Sequence, residues 1–516
     1  MSLVKSTLTI GFFTLLSRIS GFVRDVLMAN LIGASWLSDA FFVAFKLPNF
    51  FRRLFAEGAF NAAFIPSFSS ILTGEGREAA LKFAGEVMSV LLVVLLVLNA
   101  IFLIFMPWIT PLFAPGFADT PEKFDLTVVL SQITFPYILF ISLVSLLGGV
   151  LNSMGKFAAP AANPILLNLC MIAAMLGLRH VTPTPAHALA YGVFIAGIVQ
   201  LGWLVMICYR QNALPALHHP RLTRQVKTML GLMAPAAIGS GVQQVNLLID
   251  VIIASHLPGA VSYLYYADRI TELPIGMIGV AVGTVLLPML SKQIRSSDLD
   301  AARTSMNRAL ELVLLFGLAA TAALLVIAEP IIRVLYQHGA FTAENMVATK
   351  NTLLAFTLGL PAFLAVKIFA PGFYANHDTK TPFKIAVLCV VVNLFFNLML
   401  VYVAHLAFVG MALATSIAGW VNVGVMGYIL HRRGVFAPDA LLKKRLVKML
   451  LACGVMMLAL AAITPFFAND YNEHALQKVF ALSVTIVAGA LAYGAAVLAL
   501  KAYDVQALMA LRRSRR

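Results

Sequence analysis

The run AGEVMSVLLVVLLVLNAIFLIFMP, residues 84–107, decides the fold class. It carries one ionisable residue, Glu86, near its start and is otherwise almost wholly apolar. A helix needs about 20 apolar residues to cross the hydrocarbon core of a bilayer, and this run supplies them. Comparable stretches recur in both directions between Gly, Pro and charged breaks. They predict spans at 8–32, 36–71, 84–107, 127–151, 160–179, 187–209, 228–256, 262–291, 308–328, 350–371, 384–404, 407–431, 446–466 and 477–500, about fourteen in all. Composition agrees: 61% of the 516 residues are hydrophobic and 11% charged, with a mean hydropathy of +0.91, where a soluble chain carries about 25% charged residues. The runs are too long and continuous for the short alternating strands of a β-barrel. The expected class is an all-α integral membrane protein. Its first segment should stay in the mature protein, since Arg18, Arg24 and Asp25 interrupt it and no small-residue cleavage site follows.

The net charge of +15 would suit a nucleic-acid partner, but its placement argues otherwise. Outside the spans, basic residues fall about five to one on the side shared with the N-terminus. The surplus is thus mostly a topology signal, with both termini expected in the cytoplasm and no nucleic acid as partner. The terminal run Arg512, Arg513, Arg515 and Arg516 is expected on anionic headgroups. Cys170, Cys208, Cys389 and Cys453 lie in apolar spans without paired spacing, which reads as packing rather than disulfide or metal chemistry.

The chain repeats itself at an offset of 222 to 225 residues. Ile65-Pro66 matches Leu287-Pro288, Lys46 matches Arg269, Gly116 matches Gly339 and Pro136 matches Pro361. Gly148, Asn152 and Lys156 match Gly372, Asn376 and Lys380, and Gly197, Gly202 and Arg210 match Gly419, Gly424 and Arg432. Six helices per unit is an even number, so both units share one orientation. The expected organisation is an N-lobe at 1–217 (helices 1–6), a C-lobe at 218–437 (helices 7–12), and 438–516 with two extra helices, 13 and 14, and a basic tail. Two such lobes are expected around a central cleft suited to alternating access.

The residues that point to function are ionisable ones inside the spans. Helix 1 has Arg18, Arg24 and Asp25; helix 2 has Asp39, Lys46, Arg52, Arg53 and Glu57; helix 7 has Asp250; helix 8 has Asp268, Arg269 and Glu272. Each costs about 3 kcal/mol at the membrane centre on insertion scales, so they must line a wet cavity or pair. All lie in the first two helices of each repeat. Helices 1 and 2 hold more bases than acids, which suits a polyanionic group, and Arg suits phosphate because its planar fork bonds oxygens in pairs. A competing reading is internal ladders: Asp268 and Glu272 are four apart, and Asp39, Lys46 and Arg53 recur every seven. Gly21, Pro48, Gly58 and Pro274 interrupt the helices beside these charges, which suits a moving part.

Three stretches resemble the bacterial MurJ (MviN) family: SRISGFVRDVLMANLIGASWLSDAFFVAFKLPNFFRRLFAEGAFNAAFIP (17–66), YYADRITELPIGMIGVAVGTVLLPMLSK (265–292) and APGFYANHDTKTPFK (370–384). The similarity extends over essentially the whole chain. It places the chain in the multidrug, oligosaccharidyl-lipid and polysaccharide exporter superfamily, in the inner membrane. It implies a flippase, not an enzyme, whose cargo is lipid II, an undecaprenyl-diphosphate-linked disaccharide pentapeptide. It implies that Arg18, Arg24, Arg52 and Arg269 are the cavity arginines that hold the diphosphate head, with Arg24 and Arg52 foremost. Asp39 would be the conserved acid, with Lys46, Asn49, Glu57, Ser262 and Asp268 around the cavity; Asp25, Arg53 and Glu272 are further cavity or gating candidates from their own placement inside the spans. Helices 13 and 14 would form a groove for the polyprenyl tail. Where relatives carry a basic residue, this chain has Asn30, so no role carries over there.

No cofactor or metal is expected. Coupling to the membrane potential or to Na⁺ or H⁺ stays open; Asp250, Asp378 and Asn393 offer oxygen ligands for a cation, although Asp378 also reads as a helix cap. Membrane lipids are expected partners, and proteins of cell-wall synthesis or division are candidates. The alternatives are a drug or polysaccharide exporter of the superfamily, a membrane enzyme acting on the same lipid, and a non-transporting scaffold. An Arg-rich cavity disfavours organic cations, short loops without a metal-spaced cluster disfavour the enzyme, and a scaffold needs no buried charge.

Overall fold

A computed structural model describes residues 3–467 and 475–503, without the side chains of 3–8, 54–57, 475 and several positions within 234–243 and 279–284. The run that opened the reading forms α4 (Arg77–Phe113), which starts after Gly76 and stops before Pro115. One face buries Leu95 and Met106 with Leu47, Val128, Phe135 and Ile138. The other leaves Val94, Val97, Ile104 and Trp108 exposed, as a helix bathed in lipid should.

The remaining helices are α1 (Leu3–Ile32), α2 (Trp36–Phe51), α3 (Phe60–Gly74), α5 (Pro121–Thr134), α6 (Tyr137–Ser153), α7 (Ala158–Gly177), α8 (Pro185–Arg210), α9 (Arg224–Ser255), α10 (Ala260–Pro274), α11 (Val280–Arg295), α12 (Leu299–Leu335), α13 (Ala343–Thr357), α14 (Leu360–Tyr374), α15 (Lys380–Leu398), α16 (Ala407–Arg432), α17 (Ala440–Ile463) and α18 (Ala475–Ala499). No strand occurs among the described residues, and the chain is an all-α membrane protein. Among those residues nine helices are long and apolar enough to cross a bilayer, or ten when the pair α13–α14, bent by 40°, is taken as one span. The expected spans outside that number are 8–32, 36–71, 228–256 and 262–291. Two of these, 36–71 and 262–291, are each divided by a π turn into helices of 15 or 16 residues.

Packing divides the chain into two units, one running to Ser262 and including Gly339–Phe341, the other holding Tyr263–His338 and the chain from Thr342. In the first, α9 packs against α3, α4 and a π turn at Arg52–Ala59. The lobes drawn from the repeat describe sequence equivalence, and these units describe contact, so the two partitions need not coincide at α9. In the second, α17 and α18 pack on each other and on α12.

Three irregularities recur at the repeat offset. The π turn at Arg52–Ala59 has a counterpart at Ile275–Gly279. The break between α5 and α6 at Pro136 has a counterpart between α13 and α14 before Pro361. Proline lacks the N–H that would continue the helix. Last, Gly116 lies so close to the end of α9 that a Cβ would meet His256 backbone at 2.6 Å, while Gly339, at φ +54°, would meet the Asn30 carbonyl at the end of α1 at 2.4 Å. Each contact is sealed by a hydrogen bond: Gly116 N–H donates to Ser255 Oγ (3.0 Å) and Ala340 N–H to Asn30 O (2.9 Å). Helix α12 kinks at Ile327 (φ −108°, ψ 21°), three residues before Pro330, whose ring excludes a straight helix there.

Candidate functional site

In the first unit the charges form two buried clusters. Arg24 is 5% exposed and Asp25 is fully buried. Arg24 Nε and Nη2 donate to Asp25 Oδ1 (3.0 and 2.6 Å), and Nη1 donates to Asn168 Oδ1 (2.9 Å). Asn168, on α7, then donates through Nδ2 to Ser17 O and Ser20 Oγ, both at 3.0 Å. One amide thus splints the guanidinium to the helix that bears it. In this structure Arg24, expected to hold the head group, is enclosed and held by a carboxylate.

The second cluster centres on Asp39, fully buried in the first turn of α2. Its Oδ1 accepts the Ser262 N–H (3.0 Å) and hydroxyl (2.6 Å), and its Oδ2 accepts from Lys123 Nζ (2.8 Å). The first N–H groups of a helix have no partner within it, so a carboxylate at the start of α10 satisfies one and meets the positive end of the helix dipole. Ser38 and Ser262 hydroxyls also hydrogen-bond at 2.8 Å. Lys123 Nζ lies 3.9 Å from the centre of the Phe117 ring, a cation–π contact. Asp39 therefore pairs with Lys123 of α5, not with Lys46 in a heptad ladder along α2.

Other predicted residues remain accessible. Arg18 and Arg52 are half-buried, and Lys46 and Arg53 are exposed. Arg52 Nε donates to Asn49 Oδ1 (3.0 Å), and Asn49 Nδ2 donates to Phe45 O (2.9 Å), so Asn49 orients Arg52. The side chain of Glu57 lies outside the described residues. Asp250, half-buried on α9, accepts from Asn246 Nδ2 at 3.5 Å.

In the second unit Arg269 pairs with Glu272 at 2.9 Å, with side chains 32% and 49% exposed, and its guanidinium lies 6.0 Å from the Tyr265 ring. The Asp268–Glu272 ladder is not formed. Glu272 turns to Arg269, an opposite charge one helical turn away, and Asp268 is exposed with Thr271 Oγ1 at 3.4 Å. Asp378 is a cap: it accepts the Thr381 N–H (2.9 Å) and hydroxyl (2.6 Å) and pairs with Arg433 (2.7 Å). Burial opposes its charge, but Thr381 and the Arg433 guanidinium outweigh it and hold the carboxyl at about 2. A carboxylate committed to an arginine is a poor cation ligand. Asn393 instead accepts from Asn397 Nδ2 (2.8 Å) and reaches Thr415 Oγ1 (3.3 Å). Among the described residues no cluster of His, Cys, Asp or Glu could hold a metal.

Sequence reasoning missed three residues. Lys123 reads as a loop residue after Pro121. Asn168, in PILLNLC, is a lone amide in an apolar run, a signal that was there to use. Glu311 lies inside the span 308–328, fully buried, and takes hydrogen bonds from Arg308 and Arg445; Arg308 also binds Asp439, which caps α17. Buried charge is therefore not confined to the first two helices of each repeat.

An apolar cavity of about 570 Å³ opens between α12, α17 and α18, lined by Leu315, Phe316, Met456, Leu460, Tyr493 and Tyr503 among others. Its wall is almost free of polar atoms, so it suits hydrocarbon and not a charged head.

The family described as Lipid II flippase MurJ matches residues 28–487. A protein of Rhizobium meliloti (strain 1021) named "Probable lipid II flippase MurJ" is 42% identical over 499 residues, covering 95% of this chain and 92% of that one. One of Rickettsia prowazekii (strain Madrid E) with the same name is 40% identical, covering 96% and 98%. The structure described as "Lipid II flippase MurJ, inward closed conformation" superposes with a TM-score of 0.78 at 29% identity, over 94% of this chain and 97% of that one. A multidrug resistance MATE transporter of the MOP superfamily shares the fold with a TM-score of 0.68 at 15% identity, over 83% and 96%. A match of this extent, on a chain whose charged helices and apolar groove are those a lipid-anion transporter needs, places the protein in the MurJ family of lipid II flippases.

Proposed function

We propose that the protein flips lipid II from the cytoplasmic to the periplasmic leaflet of the bacterial inner membrane by alternating access. Partly exposed guanidinium groups at Arg18 and Arg52, within membrane segments of a chain whose relatives bear the flippase name, carry the reading. Arg52, aimed by Asn49, takes the diphosphate with Arg18. Two arginine forks on one diphosphate supply paired, charge-assisted hydrogen bonds that no neutral side chain matches. Arg24 stays held by Asp25 and Asn168 until the cycle releases it. The polyprenyl tail lies in the groove of α12, α17 and α18. Asp39 closes against Ser262 and resets the cycle. Both termini are cytoplasmic, as the basic loops require. The membrane potential, about 2.3 kcal/mol per charge per 100 mV, drives the charged intermediates.

Labelled lipid II in proteoliposomes, with and without an imposed potential, tests this directly. Protection of the label in the outer leaflet over time supports the reading. No transport by folded protein in either condition refutes it.

A further inference from the structure

Asp39 is enclosed from every side: α2 bears it, α10 meets it with Ser262, and α5 meets it with Lys123. Lys123 is itself 8% exposed, between that carboxylate and the Phe117 ring. Phe117 follows Gly116, whose N–H holds Ser255 at the end of α9. The turn from α9 to α10 is thus gripped at both ends, at Ser255 by Gly116 and at Ser262 by Asp39, and Lys123 touches the supports of both grips. The two serine donors and the helix dipole do not neutralise a fully buried carboxylate, whereas a lysine at 2.8 Å does.

We propose that Lys123 is the positioning residue of the transport cycle: its charge is what lets Asp39 be buried against Ser262, so it sets how far this contact closes. The inference rests on the flippase reading. When the contact opens, water replaces Ser262 and Asp39 no longer needs a counter-ion. When it closes, water leaves and the carboxylate is tolerated only because Lys123 remains. An equilibrium between the two arrangements therefore shifts open when the lysine charge is removed. Arginine keeps the charge and can keep the aromatic contact, so it should serve in place of lysine.

The test combines two readouts on the full chain, with Cys170, Cys208, Cys389 and Cys453 replaced by Ala. Spin labels at the exposed residues Trp36 and Pro258, flanking the contact, report its closure, and labelled lipid II in proteoliposomes reports transport. Lys123→Met, of similar shape without charge, should lose most of the short-distance population and slow flipping by about tenfold or more. Lys123→Arg should recover most of both. Adding Asp39→Asn to Lys123→Met should restore the short distance without restoring flipping, because no buried charge is left to compensate. A packing role predicts the reverse order, with Met tolerated and Arg not. Unchanged distances in Lys123→Met, or Lys123→Arg behaving like Lys123→Met, overturns the proposal. If the protein with Lys123 intact fails to flip lipid II, the flippase reading falls, while the distances still judge Lys123.

Discussion

Two regions of the molecule bury charge, and they do so differently. Around α1, α2 and α5, Asp25 pairs with Arg24 and Asp39 with Lys123, and Asp39 also accepts the N–H and the hydroxyl of Ser262. Half-buried Arg18 and Arg52 and exposed Lys46 lie on the same helices. Between α12 and α17, one enclosed carboxylate, Glu311, binds two guanidiniums, and Arg308 is tied further to the cap residue Asp439. Asn307 fastens the same helix to the Ala437 carbonyl and Arg303 to that of Gly434. In the first region the ion pairs described join one acid to one base. The second is over-determined and acts as a staple under the lipid groove. Buried charge alone therefore does not mark a transport site.

Breaking the staple should give the largest effect. Glu311→Gln leaves two guanidiniums without their carboxylate and should cost about 3–5 kcal/mol, read as a lowered thermal midpoint in detergent. Flipping per folded molecule should be retained, and a stable but inactive variant would erase the distinction between the regions. Arg52→Ala should do the opposite, with a flipping loss of about 10- to 100-fold and little change in midpoint. Normal growth of a flippase-depleted strain carrying Arg52→Ala would count heavily against the assignment. Asn168→Ala strips Arg24 of a buried acceptor and should cost about 1–3 kcal/mol while slowing transport, since the amide both packs and aims. Glu272→Gln breaks a pair open to solvent and should change stability by about 0–1 kcal/mol, less as salt is added. The mildest effect concerns pH. Because Asp378 is held down at about 2, its contribution is whole above the ordinary carboxylate range near 4 and is lost only as the pH falls through about 2. Asp378→Asn should remove that acid-side loss and leave the neutral range flat in a titration of thermal midpoint.

Much of this was legible from local pattern. The apolar spans, the repeat and the charged helices follow from residues near one another in the chain or from spacing, because crossing a bilayer requires a continuous apolar run. The repeat pairs also fall where the structure is irregular: Pro136 and Pro361, which the expected spans run straight through, break equivalent helices, and Gly116 and Gly339 seat equivalent turns. The pairing was not legible. Lys123 meets Asp39 from 84 residues away, Asn168 meets Arg24 from 144 and Arg445 meets Glu311 from 134. Nothing in the text around Lys123 distinguishes a loop lysine from an enclosed counter-ion.

By itself, the amino-acid sequence determined that this chain is a bundle of membrane helices, that it is duplicated, and which family it resembles. Those properties are written in hydrophobic length, in periodic spacing and in long motifs. Only the tertiary structure decided which arginines stay accessible, which acid each base serves, and that Arg24 is sheathed while Arg52 is not. Burial and charge pairing arise when distant helices meet, and the cost of an enclosed charge is set by the neighbour that packing brings to it.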